Sequence, residues 1–106
     1  MTTFAIVGTL ANVKAELLQR QKSVLIDGAI LEMVVWRVPQ PVEGCVHNYK
    51  YRLYFGRDGE RIVGYDNERP KGDHRHFNGV ETPYVFSTVE LLVRDFLADV
   101  ERARTR

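Results

Sequence analysis

Between Tyr49 and Phe55 the chain changes polarity at every residue. Tyr49, Tyr51, Leu53 and Phe55 fall on one side of an extended backbone; Lys50, Arg52 and Tyr54 fall on the other. Forty residues later the period changes. Val89, Leu92, Val93, Phe96, Leu97 and Val100 recur at the spacing of a helical stripe. A strand with one apolar face and a helix with one apolar stripe can each bury what the other exposes. This pairing predicts a layer of sheet against a layer of helix.

The surrounding segments extend both elements. Gly56-Arg-Asp-Gly59 is a turn, and Glu60–Asp66 is the strand that returns from it. Ser23–Val38 reads as another hairpin, turning at Asp27-Gly28, where both residues tolerate positive φ. Its second strand, about 29–38, is apolar on both faces and so is central; Pro39 and Pro41 stop it. Residues 39–48 form a loop. The stretch 67–80 is polar, and Glu81–Phe86 is a short edge strand bearing Pro83. Ser87-Thr-Val-Glu90 reads as a capping box ahead of the C-terminal helix, with Ser87 as N-cap. Arg102 and Arg104 suit the negative end of that helix. Residues 11–21 carry good helix formers, with Leu10, Val13, Leu17 and Leu18 as the stripe; a strand running on into Val24 and Ile26 is the alternative. Residues 1–10 are apolar and fit no single element. The expected fold is α+β. An antiparallel sheet of four to five strands is built from hairpins, with the long C-terminal helix, and a short N-terminal helix if residues 11–21 form one, on a single face.

The length of 106 residues suits one domain with one core. No stretch approaches the ~20 apolar residues of a membrane-spanning helix. The single cysteine, Cys45, has no internal disulfide partner, which points to a reducing cytoplasm. A formal charge of +1 rules out a globally basic nucleic-acid binder. The charge is uneven, however, because Lys50, Arg52, Arg57, Arg61, Arg69, Lys71 and Arg75 gather in the middle third. A local basic patch and a solvated rim both fit that distribution.

Residues 64–76, Gly-Tyr-Asp-Asn-Glu-Arg-Pro-Lys-Gly-Asp-His-Arg-His, concentrate the chemistry. If 73–77 is extended, His74 and His76 face one side. The pair fits acid–base catalysis, metal binding with Asp66 or Asp73, or a hydrogen-bonded polar loop. Asp66-Asn67 is also a good turn starter. As site residues, Asp66 orients a histidine or a cation, and Tyr65 donates a proton or stacks on a base. Lys50, Arg52 and Tyr54 share one strand face, and Arg61 and Tyr65 share a face of the next. Adjoining faces of that kind bind single-stranded nucleic acid, although cross-strand pairing explains them as well. Glu32 shares its strand face with Ile30, Val34, Trp36 and Val38. A carboxylate there needs a cation, Lys50 or Arg52, or becomes a tuned base. Cys45 and His47 lack the marks of a nucleophile pair, namely a positioned base and an oxyanion hole. Glycine-rich phosphate loops and zinc ribbons are absent.

Several segments together resemble the TumE-type toxins of toxin–antitoxin systems. They are Lys50-Tyr-Arg52, Tyr65-Asp-Asn-Glu-Arg69, Lys71-Gly-Asp-His-Arg-His76, Tyr84-x-Phe86, Asp95-Phe96 and the Glu32 strand with its Val-Val-Trp ending. The resemblance covers about residues 13–100. It implies a small cytoplasmic toxin made beside a cognate antitoxin, commonly a helix-turn-helix DNA-binding protein. With it, the residues suggest an endoribonuclease that needs no metal or other cofactor. His74, His76, Asp66 and Tyr65 would act in catalysis; Lys50, Arg52, Asn67, Arg69, Lys71 and Arg75 would hold RNA. The rival readings are a non-enzymatic binding module and a metal-dependent nuclease or nucleotidyl transferase using Glu32, Asp66 and Asp73. A homodimer is left open.

Overall fold

The computed structural model describes residues 14–105. They form β1 (Glu16–Val24), β2 (Ile30–Arg37), β3 (Tyr49–Arg57), β4 (Glu60–Glu68), β5 (Gly72–Phe77), β6 (Val80–Pro83) and α1 (Val89–Arg104). The strands lie in chain order in one sheet, each antiparallel to its neighbour. The α+β architecture is the expected one, with six strands among the described residues rather than four or five. No described helix is long and apolar enough to cross a membrane.

The additional strands come from the two segments whose local signals were ambiguous. Residues 16–24 pair with β2 as a strand, so the helix expected over 11–21 does not form in its described part. Leu17 pairs with Trp36 and Gln19 with Val35, leaving Leu18 as the extra residue of a bulge. The adjacent leucines that suggest a helical stripe are thus a strand irregularity. Helix propensity differs by only tenths of a kcal/mol per residue, and a full ladder with β2 overrides it. Leu10 and Val13 lie outside the described residues, as do residues 1–10.

The polar stretch after Asp66 is also sheet. β4 continues to Glu68, and β5 turns into β6 through Asn78-Gly79, both at positive φ (50° and 85°). Asp58-Gly59 repeats this geometry between β3 and β4, with φ of 55° and 77°. Positive φ at both central residues gives a turn whose twist matches that of paired strands. The β1–β2 turn is one residue longer than a two-residue turn: Leu25 N–H donates to Ala29 O at 2.8 Å, with Ile26–Gly28 between them.

One sheet face carries the core. Leu31, Met33 and Val35, then Tyr51, Leu53 and Phe55, then Val63 and Tyr65 are all buried. Leu92, Phe96 and Val100 of α1 are buried with them, whereas Leu97 stays 41% exposed. Thr88, not Ser87, caps the helix, its Oγ1 accepting from Leu91 N–H at 3.1 Å. Glu90 therefore sits in the first turn, where the helix dipole favours an acid.

Candidate functional site

Strand pairing sorts the polar residues onto two faces. Opposite partners share a face, so Arg52, Asp66 and His74 line up across β3, β4 and β5 on the side away from α1. Gly64 pairs with His76, and His76 with Glu81, on the same side. The other face receives Tyr65 opposite Arg75 and Asn67 opposite Asp73.

On the outer face His74 is buried, and its ring is fixed from both ends. Nδ1 lies 3.0 Å from the Gly72 carbonyl, which can only accept, so Nδ1 carries hydrogen. Nε2 lies 2.7 Å from Asp66 Oδ1 and 3.6 Å from Glu81 Oε2. Asp66 Oδ1 is itself buried and has no hydrogen-bond partner among the described residues. It stands close to Nε2, yet the two make no hydrogen bond. His76 packs edge-on against His74, with ring centroids 5.2 Å apart. Its Nδ1 accepts from Arg61 Nη2 at 3.0 Å. Burial, then the Arg61 charge, lowers the His76 pKa below its ordinary value, so the ring keeps a lone pair at neutral pH. Lys71 reaches Glu81 at 3.0 Å and holds that carboxyl below its usual range.

Arg61 arrives there through a bulge. Phe55 pairs with Val63 but Gly56 with Arg61, so Ile62 is the extra residue and the alternation breaks. Arg61 therefore lies opposite Tyr65, not on its face. Its side chain crosses Gly64, where an added Cβ would meet Arg61 Cδ at 2.7 Å. Around this centre, Arg52 pairs with Glu32 at 3.6 Å and lies over the Tyr54 ring at 5.2 Å. Lys50 Nζ donates to the Asn67 carbonyl at 3.0 Å. Glu32 is half-buried with Arg52 as its cation, one of the two partners expected for it. Arg69 is exposed in the β4–β5 turn.

Tyr65, Asn67 and Arg75 stand apart from the histidines. Tyr65 Oη donates to Asp99 Oδ2 at 2.6 Å, and burial followed by that bond raises its pKa. Arg75 binds the same carboxylate, and Asp99 raises the guanidinium pKa further. Asn67 is fully buried. Its Oδ1 accepts from Tyr51 N–H at 2.9 Å and its Nδ2 donates to Tyr49 O at 2.7 Å, standing in for a missing stretch of ladder. Asp73 is on this face too, so Glu32, Asp66 and Asp73 do not converge on one ion.

A second cluster lies at the helix-side rim, where the 38–48 loop meets the β4–β5 turn. The approach is close: Gly44 lies at φ +96°, and a Cβ there would collide with the Pro70 carbonyl oxygen. Tyr49 N–H donates to His47 Nδ1 at 3.2 Å, so the ring proton is on Nε2 and faces Asp73 Oδ2 at 2.7 Å. Tyr51 Oη donates to the same oxygen at 2.6 Å. Both His47 nitrogens are thus engaged, and neither is free to deprotonate Cys45. Burial, then Asp73, raises the pKa of the thiol. The ligand atoms of Asp66, His74 and His76 lie within 4.8 Å of one another, as do those of Cys45, His47 and Asp73.

Sequence reasoning left Glu81 and Asp99 out of the site and the core. Asn78-Gly79 was the available signal for Glu81, since reading it as a two-residue turn puts Glu81 opposite His76. Asp99 had none, being one acid among several on a helix.

The fold and this face define a small α+β protein with a histidine–carboxylate centre ringed by cations. The chain matches the family model described as toxin TumE over residues 11–104, and it belongs to the TumE toxin family. No curated protein and no solved structure gave a match.

Proposed function

We propose that this chain is the toxin of a toxin–antitoxin pair and that it cleaves RNA on its outer sheet face by histidine acid–base chemistry. The observation that carries this reading is the placement of His74 and His76 side by side on β5, with Asp66 against one and Arg61 against the other. His76 Nδ1, which accepts from Arg61 in the free chain, serves as the base once Arg61 turns to the phosphate. It takes the proton of a ribose 2′-hydroxyl as that oxygen attacks the adjacent phosphorus. The bond from phosphorus to the 5′-oxygen breaks, and His74 returns a proton to that oxygen. The products are a 2′,3′-cyclic phosphate and a 5′-hydroxyl. Asp66 is the counter-charge for the His74 imidazolium. Arg52, Arg61 and Lys71 offset the negative charge that builds on phosphate, and Lys50 and Arg69 extend the track for the strand. Such chemistry needs no metal ion.

A second reading is binding without cleavage, favoured by Arg52 stacked over Tyr54 as a platform for a base. Either activity fits a cytoplasmic toxin held in check by a cognate antitoxin. An acidic, amphipathic antitoxin segment suits the cations of this face, and a helix-turn-helix partner accords with the family.

The test is induced expression in a bacterial host of wild type against His74→Ala/His76→Ala, with RNA ends mapped. Growth arrest with new cyclic-phosphate ends that vanish in the variant supports cleavage. Growth arrest with intact RNA removes the nuclease and leaves the binder. Full toxicity in the variant sinks both roles for the histidines.

A further inference from the structure

We propose that Asp66, His74 and His76 form a binding site for a first-row transition-metal dication of the Zn2+ type, with the Glu81 carboxylate close by as a second source of oxygen. Two observations point to a cation at this spot. The first is Asp66 Oδ1, a buried carboxylate oxygen without a hydrogen bond among the described residues. A buried carboxylate oxygen in that condition is costly unless a cation meets it. The His74 ring, 2.7 Å away, gives that oxygen no hydrogen bond. An ion placed to one side of the Asp66–His74 line answers both groups at once.

The second is the way His74 is held. Its Nδ1–H is spent on the Gly72 carbonyl, which leaves Nε2 as the nitrogen beside the carboxylate. A backbone carbonyl on the far nitrogen is the usual outer support of a metal-binding histidine, fixing both tautomer and ring direction. The three donors lie within 4.8 Å of one another, so small side-chain shifts, with His76 released by Arg61, bring them onto one ion at ligand distances of ~2.0–2.2 Å. Two come from one strand at i and i+2, and the third faces them from the neighbouring strand, so the sheet ladder sets the spacing. Two imidazoles and a carboxylate select Zn2+, Co2+ or Ni2+ over Mg2+, which prefers oxygen donors and retains its waters. Three donors on one side leave coordination positions open outward.

The site itself does not depend on the RNA reading. One consequence does: a bound ion takes the nitrogens that would otherwise move protons, so metal occupancy opposes histidine-based cleavage.

The test is titration of the purified, chelator-treated full chain with Co2+, followed by its visible absorption bands, and with Zn2+ as competitor. The expected result is one ion per chain, displaced by Zn2+ and not by Mg2+. Asp66→Asn, which keeps the side-chain shape, and His76→Ala each weaken binding by at least about tenfold. His47→Ala, in the other cluster, leaves it unchanged. Absence of Co2+ binding by the folded wild type overturns the proposal, as does binding that survives Asp66→Asn or is lost in His47→Ala. Circular dichroism confirms that each variant is folded. RNA cleavage with chelator and with Zn2+ is measured separately. Cleavage that requires the ion removes the metal-free mechanism while leaving the site standing.

Discussion

Arg75 grips Asp99 through two hydrogen bonds, from Nε at 2.6 Å and from Nη2 at 3.1 Å, and so ties β5 to α1. Tyr65 and Arg102 each bring a further donor to the same carboxylate, at 2.6 Å in both cases. The acid is 1% exposed. This is the polar lock between the helix and the sheet.

Removing one partner from a buried network leaves the others unpaired, which costs more than the intact network gains. Asp99→Ala therefore lowers the unfolding free energy by about 3–5 kcal/mol. Urea denaturation measures it. A loss below about 1 kcal/mol would rank the lock with ordinary surface ion pairs.

The same carboxylate sets an acid limb of stability. Burial raises its pKa, but the bonds from Arg75, Tyr65 and Arg102 outweigh burial and hold it below 3.8. As pH falls, the unfolded chain takes up this proton first. The contribution of Asp99 is full above the unfolded pKa of about 3.9 and is lost as pH drops through the lower folded value. Urea midpoints between about pH 6 and pH 3 fall less steeply in Asp99→Asn than in wild type. Equal slopes would remove Asp99 from the acid response.

Tyr65 tests the separation of the faces. Its hydroxyl points to Asp99, away from His74 and His76. Tyr65→Phe lowers stability by about 1–2 kcal/mol and leaves the proposed RNA cleavage within about twofold, less than 1 kcal/mol of barrier. Cleavage lost from a stably folded Tyr65→Phe chain would put the phenol back in the chemistry.

Asn67 holds a backbone N–H and a backbone C=O that no strand partner serves. Asn67→Ala strands both and lowers stability by about 2–4 kcal/mol. For a domain of this size each kcal/mol shifts Tm by roughly 4–8 °C. A melting curve that coincides with wild type would mean that the 38–48 loop re-pairs those groups by itself.

Gly64 keeps a path open for Arg61. In Gly64→Ala the new Cβ displaces a flexible side chain rather than backbone, so the fold survives while the Arg61–His76 bond breaks. If the proposed cleavage holds, it falls to the level of Arg61→Ala, with little change in Tm. Wild-type cleavage in Gly64→Ala would show that Arg61 acts without touching His76.

The site was legible in part. His74 and His76 could be placed on one side of a strand from their spacing, and Glu32 could be assigned a cation. Arg61 could not be placed, because a single inserted residue at Ile62 reverses its side and leaves no mark in the local pattern. Tyr65 and Asn67 flank Asp66 in sequence yet face the opposite way, so a compact motif in the chain is two separate sites in space.

What the sequence determined by itself is local. The alternation at Tyr49–Phe55 and the stripe at Val89–Val100 fix strand and helix, because side-chain direction follows directly from backbone period. Tertiary structure decided everything that depends on a partner. It made residues 16–24 a strand, since pairing with β2 outweighs a weak helical preference. It turned a polar tract into a hairpin and buried Asp99, because only the assembled sheet brings Tyr65 and Arg75 to that carboxylate. It brought Asp66, His74 and Glu81 from three strands to one point, since register between strands is a property of the sheet and of no strand alone.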